Sequence, residues 1–217
     1  MTGLTAKLLH HRRESPEPTG EDYSASETET SQATVTATSN PPQTFTISFS
    51  SEEKGLQIWT PTNTTTSTAP TYSLRTSNNL VELWHGTDIT TRPTGTAHLA
   101  KNGRTAELLL HNISQSFSMH TSHLSGASTC SHPLLGDLKW KTSKTTGLAS
   151  ELQRVSDGSV VAKFVAIKWS RKGPKELQVL AEGLDEEILE FVVLFGRVAR
   201  VASQRNMERG AVAVAIS

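Results

Sequence analysis

Most of the chain after residue 42 consists of short segments in which apolar and polar residues alternate. The segment TFTISFS, which begins at Thr44, sets Phe and Ile against Thr and Ser, a period of two that is typical of a half-buried strand. Turn-forming pairs such as Asn102-Gly103 separate several segments. The others of this kind are LQIWT, YSLRT, LVELWH, GTAHLAK, TAELLLH, GDLKWKTS, ASELQRVS, SVVAKFVAIKW and KELQVLA. The pattern predicts about ten strands in a meandering antiparallel sheet or barrel.

One segment, DEEILEFVVLFGRVARVASQRN from Asp185 to Asn206, has a different pattern. Acidic residues begin it and arginines follow, which suits the dipole of a helix with Asp185 as its N-cap. From Ile188 to Phe195 apolar residues occupy nearly every angle around the axis, so the helix must be buried on all sides. No second helix is predicted that could cover it. We therefore predict a mainly β fold, a closed antiparallel barrel of about ten to twelve strands around a central hydrophobic C-terminal helix, with the arginines near its mouth.

Composition divides the chain into segments. Residues 1–42 are rich in Ser, Thr, Glu and Pro and cannot bury enough apolar surface to fold, so we predict a disordered tail. Residues 43–206 form the predicted barrel domain. Within it, residues 114–133 are polar and irregular, and we predict a long mobile loop insertion, with a strand near Phe117 as an open alternative. Residues 207–217 are a C-terminal tail whose AVAVAIS either adds an edge strand or frays.

Charge and cysteine content exclude some classes of partner. Lys and Arg together number 21, as do Asp and Glu, so the neutral chain has no long-range attraction to nucleic acid. The single cysteine cannot form an intramolecular disulfide, which suits a reducing compartment. The N-terminal residues show no secretory signal, and the unbroken apolar run from Phe191 to Gly196 is far shorter than a membrane span. We expect an intracellular protein that is cytoplasmic or peripheral to a membrane.

Three motifs in a fixed order resemble a known family. LKWKTSK around Trp140, then VVAKFVAIKW with GPKELQVL, then DEEILEFVVLFGRVAR are similar to a fungal domain of unknown function. That domain is related to the tubby C-terminal domain, to LURP-one proteins and to phospholipid scramblases. The resemblance covers Phe45 to Asn206 and implies a closed barrel around one central helix. It also implies a non-enzymatic role, since tubby-type domains bind phosphoinositides through basic surface residues.

The weak candidates for an anionic ligand are Lys139, Lys141 and Lys144. The two lysines that flank Trp140 must point away from it in a strand, so an inward Trp140 places them outside. The resemblance makes this stripe the best candidate for an anionic head group. Arg171 to Lys175 contains a second basic stripe, formed by Arg171, Lys172 and Lys175. An ordinary solvated strand face is the alternative for both stripes.

Two further constellations suggest chemistry less strongly. His111, His120, His123, His132 and Cys130 could be offered as a zinc site, but their spacing fits no zinc signature, and scattered histidines in a polar loop are favoured. Cys130 with His132 could be a thiol nucleophile and its base in a hydrolase. Residues so close in a flexible loop rarely hold the required geometry. The sequence therefore predicts no catalytic residue, no metal and no cofactor.

The remaining expectations concern the interior. Trp59, Trp84, Trp140 and Trp169 lie in candidate strands; they could form a stacking platform, but their alternation favours core packing. Glu190 interrupts the apolar helix, so it must either find a partner such as an inward Arg or lie where the wall is open. We conclude that the chain is a binding module for an anionic membrane lipid or a protein partner. A structural or interaction domain without a small ligand is the alternative.

Overall fold

A computed structural model describes residues 42–62, 71–146, 148–165 and 176–216, with side chains described up to Arg209. The predicted N-terminal tail and the basic stripe from Arg171 to Lys175 lie outside these residues, apart from Pro42. The described residues form twelve strands and one helix. These are β1 Gln43–Phe49, β2 Leu56–Pro61, β3 Tyr72–Ser77, β4 Leu80–His85, β5 Gly95–Leu99, β6 Thr105–Leu110, β7 Gln115–Thr121, β8 Ser128–His132, β9 Gly136–Thr142, β10 Ala149–Arg154, β11 Val160–Val165, β12 Glu176–Val179 and α1 Glu186–Ile216.

The strands form a closed antiparallel barrel. Each strand pairs with its neighbours in the chain, and β1 pairs with β12 to close the ring, with Gln43 opposite Val179. Closure leaves no unpaired edge among these strands, and it lets every strand present alternate side chains to a common interior. The predicted architecture of ten to twelve antiparallel strands is confirmed.

The helix α1 fills the interior of this barrel. Val192 and Leu194 point to different sides of the helix, and both are 0% exposed. The wall residues that contact α1 come from strands far apart in the ring: Phe117 of β7 lies 4.7 Å, ring centre to ring centre, from a helix phenylalanine. A Cβ added to Gly95 of β5 would lie 3.2 Å from Leu194, and one added to the helix at Gly196 would lie 3.0 Å from Trp140 of β9. A helix touched from several sides of a closed wall is enclosed by it, as the apolar pattern predicted.

The predicted mobile loop over residues 114–133 is wrong: β7 is the strand considered near Phe117, and β8 was not predicted. The inward positions alternate as in other strands, but four of the six are small or polar, so the period of two is not visible in the apolar residues. The hydroxyls of Thr121 and Ser128 satisfy each other at 2.9 Å inside the barrel. The inward residues of the two strands are Phe117, Met119, Thr121, Ser128, Cys130 and His132.

The middle of α1 is held by arginines that bond to the ends of wall strands. Arg197 donates to the Thr76 hydroxyl at 3.1 Å, and Arg200 donates to the Ala149 carbonyl at 2.8 Å. Burial lowers the pKa of each to about 10, and for Arg197 the charge of Arg200 adds to the effect. Neither forms an ion pair with a carboxylate in the described part of the chain. The helix continues to Ile216, so the backbone of the predicted C-terminal tail is helical to that residue and forms no edge strand.

The tryptophans follow the expectation of burial, with one difference. Trp59 and Trp140 belong to the main core, whereas Trp169 lies outside the described residues. Trp84 is buried on the outer face of β4, where its Nε1 donates to the Thr91 carbonyl at 3.0 Å. The Arg75 guanidinium lies over its ring at 5.1 Å. Burial of this tryptophan thus comes from the β4–β5 connection and from Arg75, and not from the barrel interior.

Candidate functional site

Three lysines line the outer wall where β9, β10 and β11 run side by side. Lys139 and Lys141 point outward from β9, and Trp140 between them is 0% exposed, as the alternation predicted. Lys163 of β11 also points outward, and Lys144 is exposed in the turn after β9. We call these four residues the lysine row. The outward direction predicted for Lys139 and Lys141 is therefore confirmed, and the fold brings Lys163 of a different strand to the same wall.

Strand register places one acidic residue inside the lysine row. Glu151 of β10 is opposite Lys141 on one side and opposite Lys163 on the other. Directly opposed residues have Cβ atoms about 5 Å apart, so this carboxylate weakens the field of both lysines. None of the lysines forms an ion pair within 4.0 Å among the described residues, whereas a Glu151 oxygen accepts from the Gln153 amide. The ammonium groups are available to an external anion.

A concavity of about 840 Å³ lies beside the lysine row, on the outer face of β5 to β9. Lys139 adjoins it, because its partner in register, Thr129 of β8, lines the concavity. Within the described part of the chain, the exposed lining residues include two acidic residues and two histidines, and no lysine or arginine. The titratable ones are His98, Glu107, His120 and Asp137. A lining with two carboxylates suits a polar partner surface better than a polyanion.

The structure separates the residues of the hypothetical zinc site. His120 points outward from β7, whereas Cys130 and His132 point into the barrel from β8. His111 is in contact with the Thr96 hydroxyl at 3.2 Å, and His123 is exposed in the turn before β8. No three of these five residues form one of the metal-sized groups found within the described ranges.

The thiol and imidazole of the hypothetical hydrolase are both inside the barrel. Burial raises the pKa of Cys130 to about 12, which keeps it a neutral thiol at physiological pH. His132 stacks on Phe117 with ring centres 5.2 Å apart, and its Nδ1 accepts from the amides of Leu134 and Leu135 at 3.2 and 3.3 Å. Burial also lowers the pKa of His132. These side chains have packing roles in this arrangement.

Polar residues converge at the end of the barrel where α1 begins. His85 ends β4, and its Nδ1 lies 2.8 Å from Oε1 of Glu186. Glu190, one helical turn later, is 1% exposed, and the Asn112 amide donates to its Oε2 at 2.9 Å. The ligand atoms of the two glutamates and His85 all lie within 4.8 Å of one another. We call His85, Glu186 and Glu190 the helix-entry cluster.

The structure shows which groups contact Glu190, the charged residue that interrupts the apolar part of the helix. Its partners are the neutral groups of Asn112 and Thr94, and not the inward arginine that the sequence suggested. Burial is the main influence on this carboxyl and raises its pKa, although hydrogen bonds from Thr94 and Asn112 act in the opposite direction. Sequence reasoning missed the cluster because His85 and the glutamates are far apart in the chain. The one signal available was the spacing of the glutamates, which places them on one side of a helix.

Comparisons of the chain with protein-family models, with curated proteins and with solved structures gave no significant match. The kinship with tubby-type domains therefore stays a prediction. Within the described residues, no helix combines the length and apolar character needed to cross a membrane.

Proposed function

We propose that this protein is a non-enzymatic binding module that recognises the phosphorylated head group of an anionic membrane lipid through the lysine row. The observation that carries the proposal is the set of four lysines on one outer surface, without ion-pair partners among the described residues. The resemblance to tubby-type domains supports the choice of a phosphoinositide as the lipid. Attachment would be peripheral, on the outside of the barrel.

Packing inside the barrel favours an external site. The helix side chains from Phe191 to Phe195 are 0% exposed, and two close approaches of helix and wall occur where one partner is a glycine. An interior packed to this density leaves no room for a head group. A ligand must therefore be bound on the outer wall or at a rim.

The size of the effect follows from the number of lysines. A lysine near an anionic membrane surface contributes about 1 kcal/mol. Loss of Lys139 and Lys141 together should cost about 2 kcal/mol, which is roughly a 30-fold loss of partitioning. The residual attraction from Lys144 and Lys163 should fade as ionic strength rises, because exposed charges are screened.

Vesicle flotation tests the proposal. The full chain should float with phosphatidylcholine vesicles that contain a phosphoinositide and should stay behind with phosphatidylcholine alone. Lys139→Ala with Lys141→Ala should lower binding about 30-fold. Lys54→Ala with Lys101→Ala is the matched control, because it removes the same charge from exposed turns elsewhere on the barrel.

Glu151→Gln gives a test in the opposite direction. It removes the carboxylate between Lys141 and Lys163 and should strengthen binding. Competition by free inositol phosphate separates recognition of the head group from recognition of a membrane surface. Equal flotation of wild type and the Lys139/Lys141 variant would refute the assignment of the lysine row.

The concavity on β5 to β9 supports a protein partner as a second candidate ligand. A partner there would be blocked by Ser118→Trp, since Ser118 is exposed and lines the concavity. Flotation should be unaffected by this substitution.

A screen for hydrolase activity tests the non-enzymatic assignment. Turnover that disappears in Cys130→Ala would overturn it.

A further inference from the structure

We propose that the helix-entry cluster, His85 with Glu186 and Glu190, is a binding site for a divalent transition-metal ion of the zinc class. The inference is independent of the lysine row, because the cluster lies at the end of the barrel where α1 begins and the lysines lie on the outer wall. The proposal gives a function to His85, Glu186 and Glu190, which are polar residues that the packing of α1 in the core does not need.

The arrangement of the ligand atoms fits such an ion. One imidazole nitrogen and two carboxylate oxygens lie within 4.8 Å of one another. Ligand atoms of a tetrahedral zinc ion, each about 2.0–2.2 Å from the metal, are roughly 3.4 Å apart. A small contraction therefore brings the three groups around one ion. His85 and Glu186 are exposed, so a water could complete the coordination from the open side.

The local charges favour a cation. Glu186 and Glu190 are one turn apart on the same side of α1, and two carboxylates at this spacing repel each other. Glu190 is 1% exposed, and a buried carboxylate without a positive partner is costly. Its hydrogen-bond partners Asn112 and Thr94 are neutral, and the nearby His85 is charged only when it holds a proton. A divalent ion would neutralise both carboxylates together.

A second, independent feature points into the same place. Tyr72 of β3 is directly opposite His85 in the barrel register, and its ring centre lies 5.9 Å from that of His85. The tyrosine is 0% exposed, and its hydroxyl has no hydrogen-bond partner among the described residues. The pKa of Tyr72 is raised by burial and then by the charges of Glu190 and Glu186, which places the phenol within electrostatic reach of both. A bound ion with its water would give this hydroxyl a partner.

Surrounding residues would orient the ligands. The Asn112 amide donates to Oε2 of Glu190, and Thr94 also hydrogen-bonds this carboxyl, so both hold it at the entry of the barrel. Outer hydrogen bonds of this kind fix ligand orientation, and their loss lowers metal affinity by about 10-fold to 100-fold. The mixed nitrogen and oxygen ligands favour zinc or a neighbouring transition metal over magnesium or calcium, which prefer oxygen ligands alone.

Titration of Zn²⁺ into the full chain by isothermal calorimetry is the direct experiment. The background is the variant His10→Ala with His11→Ala, because adjacent histidines outside the described residues could bind zinc by themselves. We expect one saturable site and a rise in melting temperature with Zn²⁺ concentration. Millimolar Mg²⁺ should not compete, and Co²⁺ bound at the site should give the visible spectrum of a four- or five-coordinate ion.

Variants separate the site from adventitious binding. His85→Ala should abolish saturable binding, and Asn112→Ala should weaken it by at least about 10-fold. His98→Ala, which removes an exposed histidine from the outer wall, should leave it unchanged. Glu186→Gln removes a ligand at an exposed position and should lose the zinc-dependent rise in melting temperature while folding normally without zinc. Absence of a saturable site, retention of it in His85→Ala or Glu186→Gln, or tighter binding of Ca²⁺ than of Zn²⁺ would overturn the proposal.

Discussion

Gly196 of α1 offers the sharpest test of a helix enclosed by its barrel. On an exposed helix, Gly→Ala stabilises by about 1 kcal/mol, because alanine has the higher helix propensity. Inside this barrel the new Cβ would lie 3.0 Å from Trp140 and 3.2 Å from Phe164. Both contacts are with rings, and the two rings are stacked on each other with centres 5.0 Å apart. The wall therefore has little freedom to move away.

The magnitude follows from the balance of these effects. Inserting a group into a packed core costs about 1–3 kcal/mol, and rigid neighbours place Gly196→Ala in the upper part of that range. After the gain in helix propensity, we expect a net loss of about 1–2 kcal/mol. With a urea dependence of about 2 kcal/mol per molar, the unfolding midpoint should fall by roughly 0.5–1 M without a change in slope. Gly196→Val should cost more.

A double-mutant cycle identifies the contact responsible. Trp140→Phe removes the atom that lies nearest to the new Cβ, and it also removes a buried indole N–H that has no partner within the described residues. The two substitutions together should be less destabilising than the sum of the single ones, by about 1 kcal/mol. A gain of about 1 kcal/mol for Gly196→Ala alone would refute the reasoning, since it is the result for a helix whose glycine faces solvent.

Three other predictions concern the interior. Val193→Asp buries a charge where the native side chain is 0% exposed, so it should prevent folding as judged by circular dichroism, whereas Gln204→Asp on the exposed side of α1 should not. Cys130 should resist alkylation at pH 8 until urea unfolds the chain, and rapid labelling of the folded protein would contradict its inward position in β8. The folded pKa of about 12 exceeds the ordinary value of 9.0, so the stability contributed by this thiol is complete below pH 9 and falls as the pH rises toward 12.

The sequence allowed the fold to be predicted where burial followed apolar character. The helix was predictable because residues such as Val192 and Leu194 point in different directions and yet are all hydrophobic. The strand β8 was missed because its inward positions are Ser128, Cys130 and His132, which are buried through hydrogen bonds and ring contacts. A period of two in hydrophobic residues reveals a strand only when its buried side chains are apolar. It therefore misses a strand whose buried side chains are polar or small.

The two candidate sites also differ in how much of each could be predicted from the sequence. Lys139 and Lys141 could be assigned to the outer wall from sequence, because strand alternation around a buried Trp is local information. Lys163 joins them only through the register of β10 with β11, and Glu151 lies between them for the same reason. The helix-entry cluster depends on closure of the whole barrel, since it brings the end of β4 against the first turns of α1. No local pattern contains that contact.

The order of elements along the chain sets the order in which this protein can fold as the ribosome makes it. All twelve strands precede α1, and the ring closes between β1 and β12 just before the helix emerges. A barrel that closed before the helix was made would enclose an empty apolar space. Its inward side chains would gain little from burial, so we expect the strands to become stable only when the helix is present. Pairings as distant as Gln43 with Val179 also form slowly, because a long loop must close first. The nascent chain therefore carries exposed strands throughout translation, and we expect it to depend on chaperones during that interval.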